Sequence, residues 1–200
     1  MPAMVALHCA RAFSRIEAIE IGLVLDPRDP FGPGSAVDMD LIASVGPSPL
    51  TIHDGRWRWL NGGAVSRQFN GVGGFSHVGQ AVGLADLLSL NSCGANAIRV
   101  DVAASATATS RVNGRPSHEV IIEITGDHTR HGHGRFRFEI VDPEGYASLS
   151  ARGVAIVVET LLGHGERPPP NAGLHLPETI VDPSHFVQRL AALGIAIPAD

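Results

Sequence analysis

The feature that most constrains the fold is a pair of alternating segments near residues 119–140. In each segment apolar residues alternate with charged or polar ones: Val120, Ile122 and Ile124 with Glu119, Glu123 and Thr125, then Phe136, Phe138 and Ile140 with Arg135, Arg137 and Glu139. A period of two is typical of β-strands with one buried and one solvated face. The polar, glycine-containing loop between the segments therefore predicts an antiparallel hairpin.

Shorter patterns predict the remaining elements. Strands are expected at residues 16–25, ended by Asp26-Pro27, and at residues 97–103. Asp54-Gly55 suits a two-residue turn between strands at 50–53 and 56–60. Helices are expected at residues 5–13, at 35–45 after a Ser35 cap, at about 82–90, and after Asp142-Pro143 and Asp182-Pro183. Residues 61–83 show little periodicity.

The mixed order of strands and helices favours an α+β fold. We expect one domain over residues 1–200, built from a mostly antiparallel mixed sheet with helices packed on one face.

Composition excludes several classes of function. The net charge of −5, with only 15 basic residues and no basic run, argues against a nucleic-acid partner. No apolar stretch approaches the ~18 residues of a membrane span, and the N-terminal apolar run has no basic leader that would indicate a signal peptide. Cys9 and Cys93 lack CxxC spacing, which suits reduced thiols in a cytoplasmic protein.

The order of several segments indicates an ancestry. Residues 146–163 read YASLSARGVAIVVETLLG, and residues 172–195 read AGLHLPETIVDPSHFVQRLAALGI. Upstream lie residues 13–25, the HDGRWRWL stretch at 53–60 and RQFNGVG at 67–73. Together these segments resemble the C-terminal domain of the saccharopine dehydrogenase-like oxidoreductases over residues 13–75 and 117–197. Asn70 stands where that family often has proline, and residues 76–116 match only loosely.

This resemblance implies a substrate-binding and dimerisation domain that works beside a nucleotide-binding Rossmann domain. The sequence shows no Rossmann fingerprint, because the glycines at 71–74 follow no buried strand and Ser76 stands at the position of the third fingerprint glycine. We therefore expect no cofactor in this chain, with NAD(P) held only by a separate Rossmann-domain partner. The resemblance also implies a homodimer, with the open sheet face as the floor of a substrate cleft.

A small-molecule pocket is predicted between the hairpin at residues 53–59, the glycine-rich residues 70–77 and the middle strand. We expect His77 and His53 as catalytic acid–base groups, and Arg56, Trp57, Arg99 and Asp101 as substrate-binding residues. Alternatives stay open. His77 would otherwise be an exposed loop histidine, and Trp57 and Trp59 would be core or interface residues. The alternating Glu and Arg side chains would otherwise form cross-strand ion pairs.

His128, His131 and His133 form a second cluster of ionisable side chains, at the tip of the predicted hairpin. Three imidazoles within six residues would suit a metal, but a hairpin tip is also where polar side chains are expected. We predict a solvated loop and no metal site.

Three functions remain open at this point. The first is the substrate-binding and dimerisation domain of a saccharopine dehydrogenase-like oxidoreductase system. The second is a cofactor-independent isomerase, cyclase or lyase acting on a small organic molecule, since such chemistry needs only a pocket and an acid–base pair. The third is a non-catalytic binding or assembly module.

Overall fold

A computed structural model describes residues 1–30, 32, 49–164 and 168–197. Its eight strands are β1 (Phe13–Leu25), β2 (Leu50–His53), β3 (Arg56–Trp59), β4 (Ser66–Asn70), β5 (Ser76–Ala81), β6 (Ala97–Ala104), β7 (His118–His128) and β8 (Gly132–Asp142). The helices are α1 (Pro2–Ala10), α2 (Asp86–Asn91), α3 (Ala108–Asn113), α4 (Tyr146–Leu161), α5 (Pro177–Ile180) and α6 (Pro183–Ala192). Two short 3-10 helices, Gly62–Val65 and Val72–Gly74, flank β4.

All eight strands belong to one mixed sheet. Its main path runs β3-β2-β6-β1-β7-β8, and β4 joins through β5, which pairs with the end of β6. Among the described strands, β1 and β6 form the one parallel pair, and the other pairs are antiparallel. The predicted α+β class with a mostly antiparallel sheet is confirmed.

The sheet has two faces of different character. One face, which we call the core face, carries residues such as Ile19, Ile21 and Ile122 and packs against helices α1, α2, α4 and α6 in one large apolar cluster. The opposite face, which we call the polar face, carries a small apolar cluster of Val24, Phe69, Ala103 and Ile121. The predicted packing of helices on one face therefore agrees with the main core.

Several elements lie where the patterns predict them. The long β7–β8 hairpin pairs Val120 with Ile140 and Ile124 with Phe136, as the alternation requires. The β2–β3 hairpin turns at Asp54 and Gly55, whose positive φ values of 52° and 66° suit a two-residue turn. The Asp182 side chain caps α6 by accepting a hydrogen bond from the Ser184 backbone N–H at 2.8 Å.

Other expectations were wrong or fall elsewhere. The helix expected after Asp142-Pro143 begins only at Tyr146, because Asp142 ends β8 and its carboxylate accepts a hydrogen bond from the Glu144 backbone N–H. The featureless residues 61–83 contain the β4–β5 hairpin. The helix predicted at 35–45 lies outside the described residues. None of the described helices has the length and apolar character to cross a membrane.

Candidate functional site

The polar face is organised around a buried carboxylate, that of Asp101 on β6. Arg67 Nε and Arg99 Nε each donate a hydrogen bond to it at 2.8 Å, and Arg67 Nη1 donates to Glu20 Oε1 at the same distance. Arg99 also donates to the carbonyl oxygens of Ala64 at 2.8 Å and Val65 at 2.9 Å. Arg99 and Asp101, both predicted to bind substrate, are thus brought together, but they also hold the chain before β4 onto the sheet.

Farther across the same face, the charges of β7 and β8 neutralise one another. Arg135 Nη2 lies 2.5 Å from Glu123 Oε2 and 2.9 Å from Glu20 Oε2. Arg137 Nε donates to Glu139 Oε1 at 2.7 Å. The alternating Glu and Arg side chains therefore form ion pairs within the chain, as the alternative interpretation of the sequence expected.

The β4–β5 hairpin lies over the polar face because two glycines make room for Phe69. A Cβ at Gly22 of β1 would overlap the Phe69 ring, and a Cβ at Gly79 of β5 would lie 2.7 Å from the same ring. The Phe69 ring therefore packs directly against the backbones of β1 and β5, because neither glycine has a side chain. This close packing holds β5, including His77, over the polar face.

His77 is buried, with 2% of its surface exposed. It pairs with Phe69 across the hairpin, and no described residue forms a hydrogen bond with either of its ring nitrogens. Burial lowers the pKa of His77, and the nearby Arg111 guanidinium lowers it further. The alternative of an exposed loop histidine was wrong, because residues 76–81 form a strand whose alternate side chains are buried.

Glu119 on β7 is a buried carboxylate beside the turn that joins β4 to β5. It is 0% exposed, its Oε1 accepts from the Ala108 N–H at 2.5 Å, and its Oε2 accepts from the Val72 N–H at 3.4 Å. Burial raises the pKa of Glu119, although those two backbone hydrogen bonds oppose the rise.

Gly71 stands between the two groups. A Cβ at this position would overlap His77 Nε2 and would lie 3.3 Å from Glu119 Oε2. The imidazole and the carboxylate therefore converge on one point beneath the turn that joins β4 to β5. At Gly73 and Gly74 this turn has φ values of 70° and 79°, which favour glycine. The predicted glycine-rich turn is present.

The other predicted site residues lie on the β2–β3 hairpin. That hairpin meets β6 at Ile98, whereas β5 meets it at Asp101 and Val102. The side chain of His53 is largely exposed and lies 3.6 Å from the Asp54 carboxylate. Arg56 and Trp57 are exposed too, so the core alternative for the tryptophans was wrong. The structure does not bring His53, Arg56 or Trp57 to His77.

Two of the three hairpin-tip histidines lie together, with the ring centroids of His128 and His131 4.7 Å apart, and His133 has a different partner. His128 is buried between Phe13 and Phe136, and its Nδ1 accepts from the Arg130 and His131 N–H groups. His133 Nδ1 lies 2.9 Å from Asp127 Oδ1. Over the described ranges, no group of three or more His, Cys, Asp or Glu side chains is placed to hold a metal ion.

Two residues of the polar-face site, Glu119 and Arg67, were not among the predicted catalytic or substrate-binding residues. Glu119 looks like any charged residue of an alternating strand, and Arg67 begins the RQFNGVG stretch in a segment without periodicity. A search of family models and of curated proteins finds no match to this chain.

Proposed function

We infer that the chain is a small-molecule-binding domain whose site lies on the polar face, beneath the turn between β4 and β5. The observation that carries this inference is the buried His77 imidazole, which has no hydrogen-bond partner among the described residues and faces Glu119 across Gly71. Buried polar atoms are nearly always paired in folded proteins, since an unpaired one costs free energy. Perturbed, buried ionisable groups are concentrated at functional sites.

The resemblance to saccharopine dehydrogenase-like oxidoreductases supplies the context. It places the substrate on the open sheet face, which is the face that carries His77, Glu119, Arg67 and Asp101 here. In this proposal the chain binds the substrate and forms a homodimer, and a separate Rossmann-domain partner supplies NAD(P). No nicotinamide would bind to this chain alone, because a phosphate-binding loop needs a strand–turn–helix unit.

The binding site is tested by ligand-observed NMR with a library of small polar organic molecules. Compounds that bind the wild-type protein should lose binding in His77→Gln and in Glu119→Gln. They should keep it in His175→Gln, a control at an exposed histidine whose Nε2 lies 2.8 Å from the Asn171 carbonyl oxygen. A set of ligands indifferent to both site substitutions would contradict the location.

Calorimetry tests the proposal that a separate partner, and not this chain, binds the nicotinamide cofactor. NADH and NADPH titrated into this chain should give no saturable heat at millimolar concentration. A saturable heat would show that the chain binds the nucleotide itself and would contradict the proposal of a separate partner. The location of the small-molecule site would still be tested by the NMR experiment.

A second candidate function is favoured by the same pair of residues. One imidazole and one carboxylate converging on a point are enough for a cofactor-independent isomerase, cyclase or lyase, with one group accepting and the other donating a proton. The distinguishing measurement is product formation from a bound ligand by the chain alone. Turnover without nicotinamide that His77→Gln abolishes would favour this enzyme over the oxidoreductase domain.

A further inference from the structure

The edge strand β3 exposes every one of its four side chains. Arg56 and Arg58 alternate with Trp57 and Trp59, of which Trp57 is 40% and Trp59 66% exposed. These are the only two tryptophans in the chain. Large aromatic side chains with this much exposure are typical of surfaces that bind another molecule.

The backbone of β3 has an open hydrogen-bonding edge. His53 pairs with Arg56 across the two-residue turn, and Thr51 pairs with Arg58. Hydrogen-bonded and non-hydrogen-bonded pairs alternate along an antiparallel ladder, so Arg56 and Arg58 exchange backbone hydrogen bonds with β2. The backbone N–H and C=O groups of Trp57 and Trp59 therefore point away from β2. Within the described residues, no strand pairs with that outer edge.

The two kinds of side chain lie on opposite faces of the sheet. Trp57 stands opposite Ile52, so both tryptophans continue the core face beyond the covered part of the sheet. Arg56 and Arg58 project from the polar face, and in the described part of the chain neither lies in an ion pair. A partner strand along this edge would thus meet an aromatic surface on one face and the guanidinium groups of Arg56 and Arg58 on the other.

Charge decides which partner fits. In a second copy paired antiparallel along β3, residues of the same face would stand opposite each other, so arginines would meet arginines. Like charges directly opposite are destabilising, and charged edge strands are a common barrier to self-pairing. An extended segment with acidic side chains toward Arg56 and Arg58 and apolar side chains toward Trp57 and Trp59 has the complementary pattern.

We propose that β3 is a docking edge for such a segment of another protein, which adds as an outer strand to the sheet. Main-chain hydrogen bonds to Trp57 and Trp59 supply affinity, and the alternation of acidic and apolar side chains supplies specificity. This surface is separate from the His77 site, and its occupancy does not depend on the function proposed for that site.

Tryptophan fluorescence tests the proposal directly, because both tryptophans lie on β3. The probe is a short synthetic peptide that alternates aspartate with valine, and the matched control replaces each aspartate with lysine. The aspartate peptide should move the emission to shorter wavelength saturably, with an affinity on the order of tenfold or more above that of the lysine peptide. The Arg56→Glu/Arg58→Glu double variant should reverse this preference, with an unchanged circular dichroism spectrum.

Three outcomes would overturn the proposal. The first is no change in tryptophan emission with either peptide. This outcome includes a free protein whose emission already lies at short wavelength because another part of the chain covers β3. The second is an equal response to both peptides, which would show non-specific adhesion to exposed aromatics. The third is an emission shift that follows protein concentration alone, which would assign the edge to a second copy.

Discussion

At the residue scale, Phe69 decides how the β4–β5 hairpin lies on the sheet. Its ring occupies the space that side chains at Gly22 and Gly79 would need, and it packs with Val24, Ala103 and Ile121 in the small cluster of the polar face. Protein interiors are close-packed, so even one added methyl group at such a contact is felt.

We predict that Gly22→Ala destabilises the protein by about 1–3 kcal/mol, because the new methyl group overlaps the Phe69 ring and must displace it. Urea unfolding measures the change. Gly63→Ala is the control, since no atom of the described residues lies within 4 Å of its Cβ position. Adding Phe69→Leu to Gly22→Ala should recover part of the loss. Equal stabilities of the two glycine variants would contradict this account of the packing.

His77 predicts a pH dependence at the same scale. Burial holds its folded-state pKa below the unfolded value of about 6.5, so between these values the unfolded chain binds the extra proton. The contribution of neutral His77 to the free energy of unfolding is complete above the unfolded pKa, and it is lost as the pH falls below that value. Unfolding free energies measured across this range should fall less steeply in His77→Gln than in the wild type. The His175→Gln control should keep the wild-type slope, and identical slopes in all three proteins would refute the prediction.

At the element scale, the start of α4 depends on a residue from the other end of the chain. Asp29, which follows β1, accepts a hydrogen bond from the Tyr146 N–H at 2.6 Å. The preceding Gly145 has a φ of 93°, and a Cβ there would overlap the Asp29 carboxylate. Asp142, which looked like the cap, instead pairs with Arg152 and joins the end of β8 to the second turn of α4.

Removing this long-range cap should therefore weaken α4. We expect Asp29→Ala to cost about 1–2 kcal/mol, the range for loss of a helix cap, and Asp29→Asn to cost less because its side-chain oxygen still accepts. Thermal unfolding gives the stabilities, and hydrogen exchange of the Tyr146 amide gives the local effect. Exchange at Tyr146 that is as slow in Asp29→Ala as in the wild type would rule out the cap.

At the scale of the whole molecule, the two faces of the sheet differ in what they contact. Its core face binds the helices through one large apolar cluster, and its polar face carries ionisable groups in and around the proposed site. The charges on β7 and β8 are paired within the chain, yet Arg135 remains about half exposed at the surface of this face. A two-fold axis would let such a surface of mixed sign meet a second copy of itself.

We accordingly predict a homodimer that uses the exposed part of β7 and β8. Sedimentation analysis at tens of micromolar should give a dimer for the wild type and a larger monomer fraction for Arg135→Glu. Arg115→Glu, at an exposed position after α3, makes the same change of charge elsewhere and should leave the dimer intact. A wild-type protein that sediments only as a monomer would contradict the prediction.

Local chemistry was enough to predict several features. The β7–β8 hairpin, the turn at Asp54 and Gly55 and the cap of α6 at Asp182 each depend on residues close together in the chain, whose periodicity or turn chemistry is visible directly. His77, Arg99 and Asp101 were named as candidate site residues from the sequence, and their roles stay a prediction. The apolar side chains of β1 and β7 likewise indicated a sheet with one buried face.

Packing between distant segments decided the rest. The β4–β5 hairpin forms in a segment without clear periodicity because Phe69 finds room at Gly22, and α4 begins at Tyr146 because Asp29 lies beside it, 117 positions earlier. The burial of His77 and its convergence with Glu119 on Gly71 arise in the same way. Each depends on contacts between residues far apart in the chain, and no local pattern records such a contact because its free energy exists only once both segments are in place.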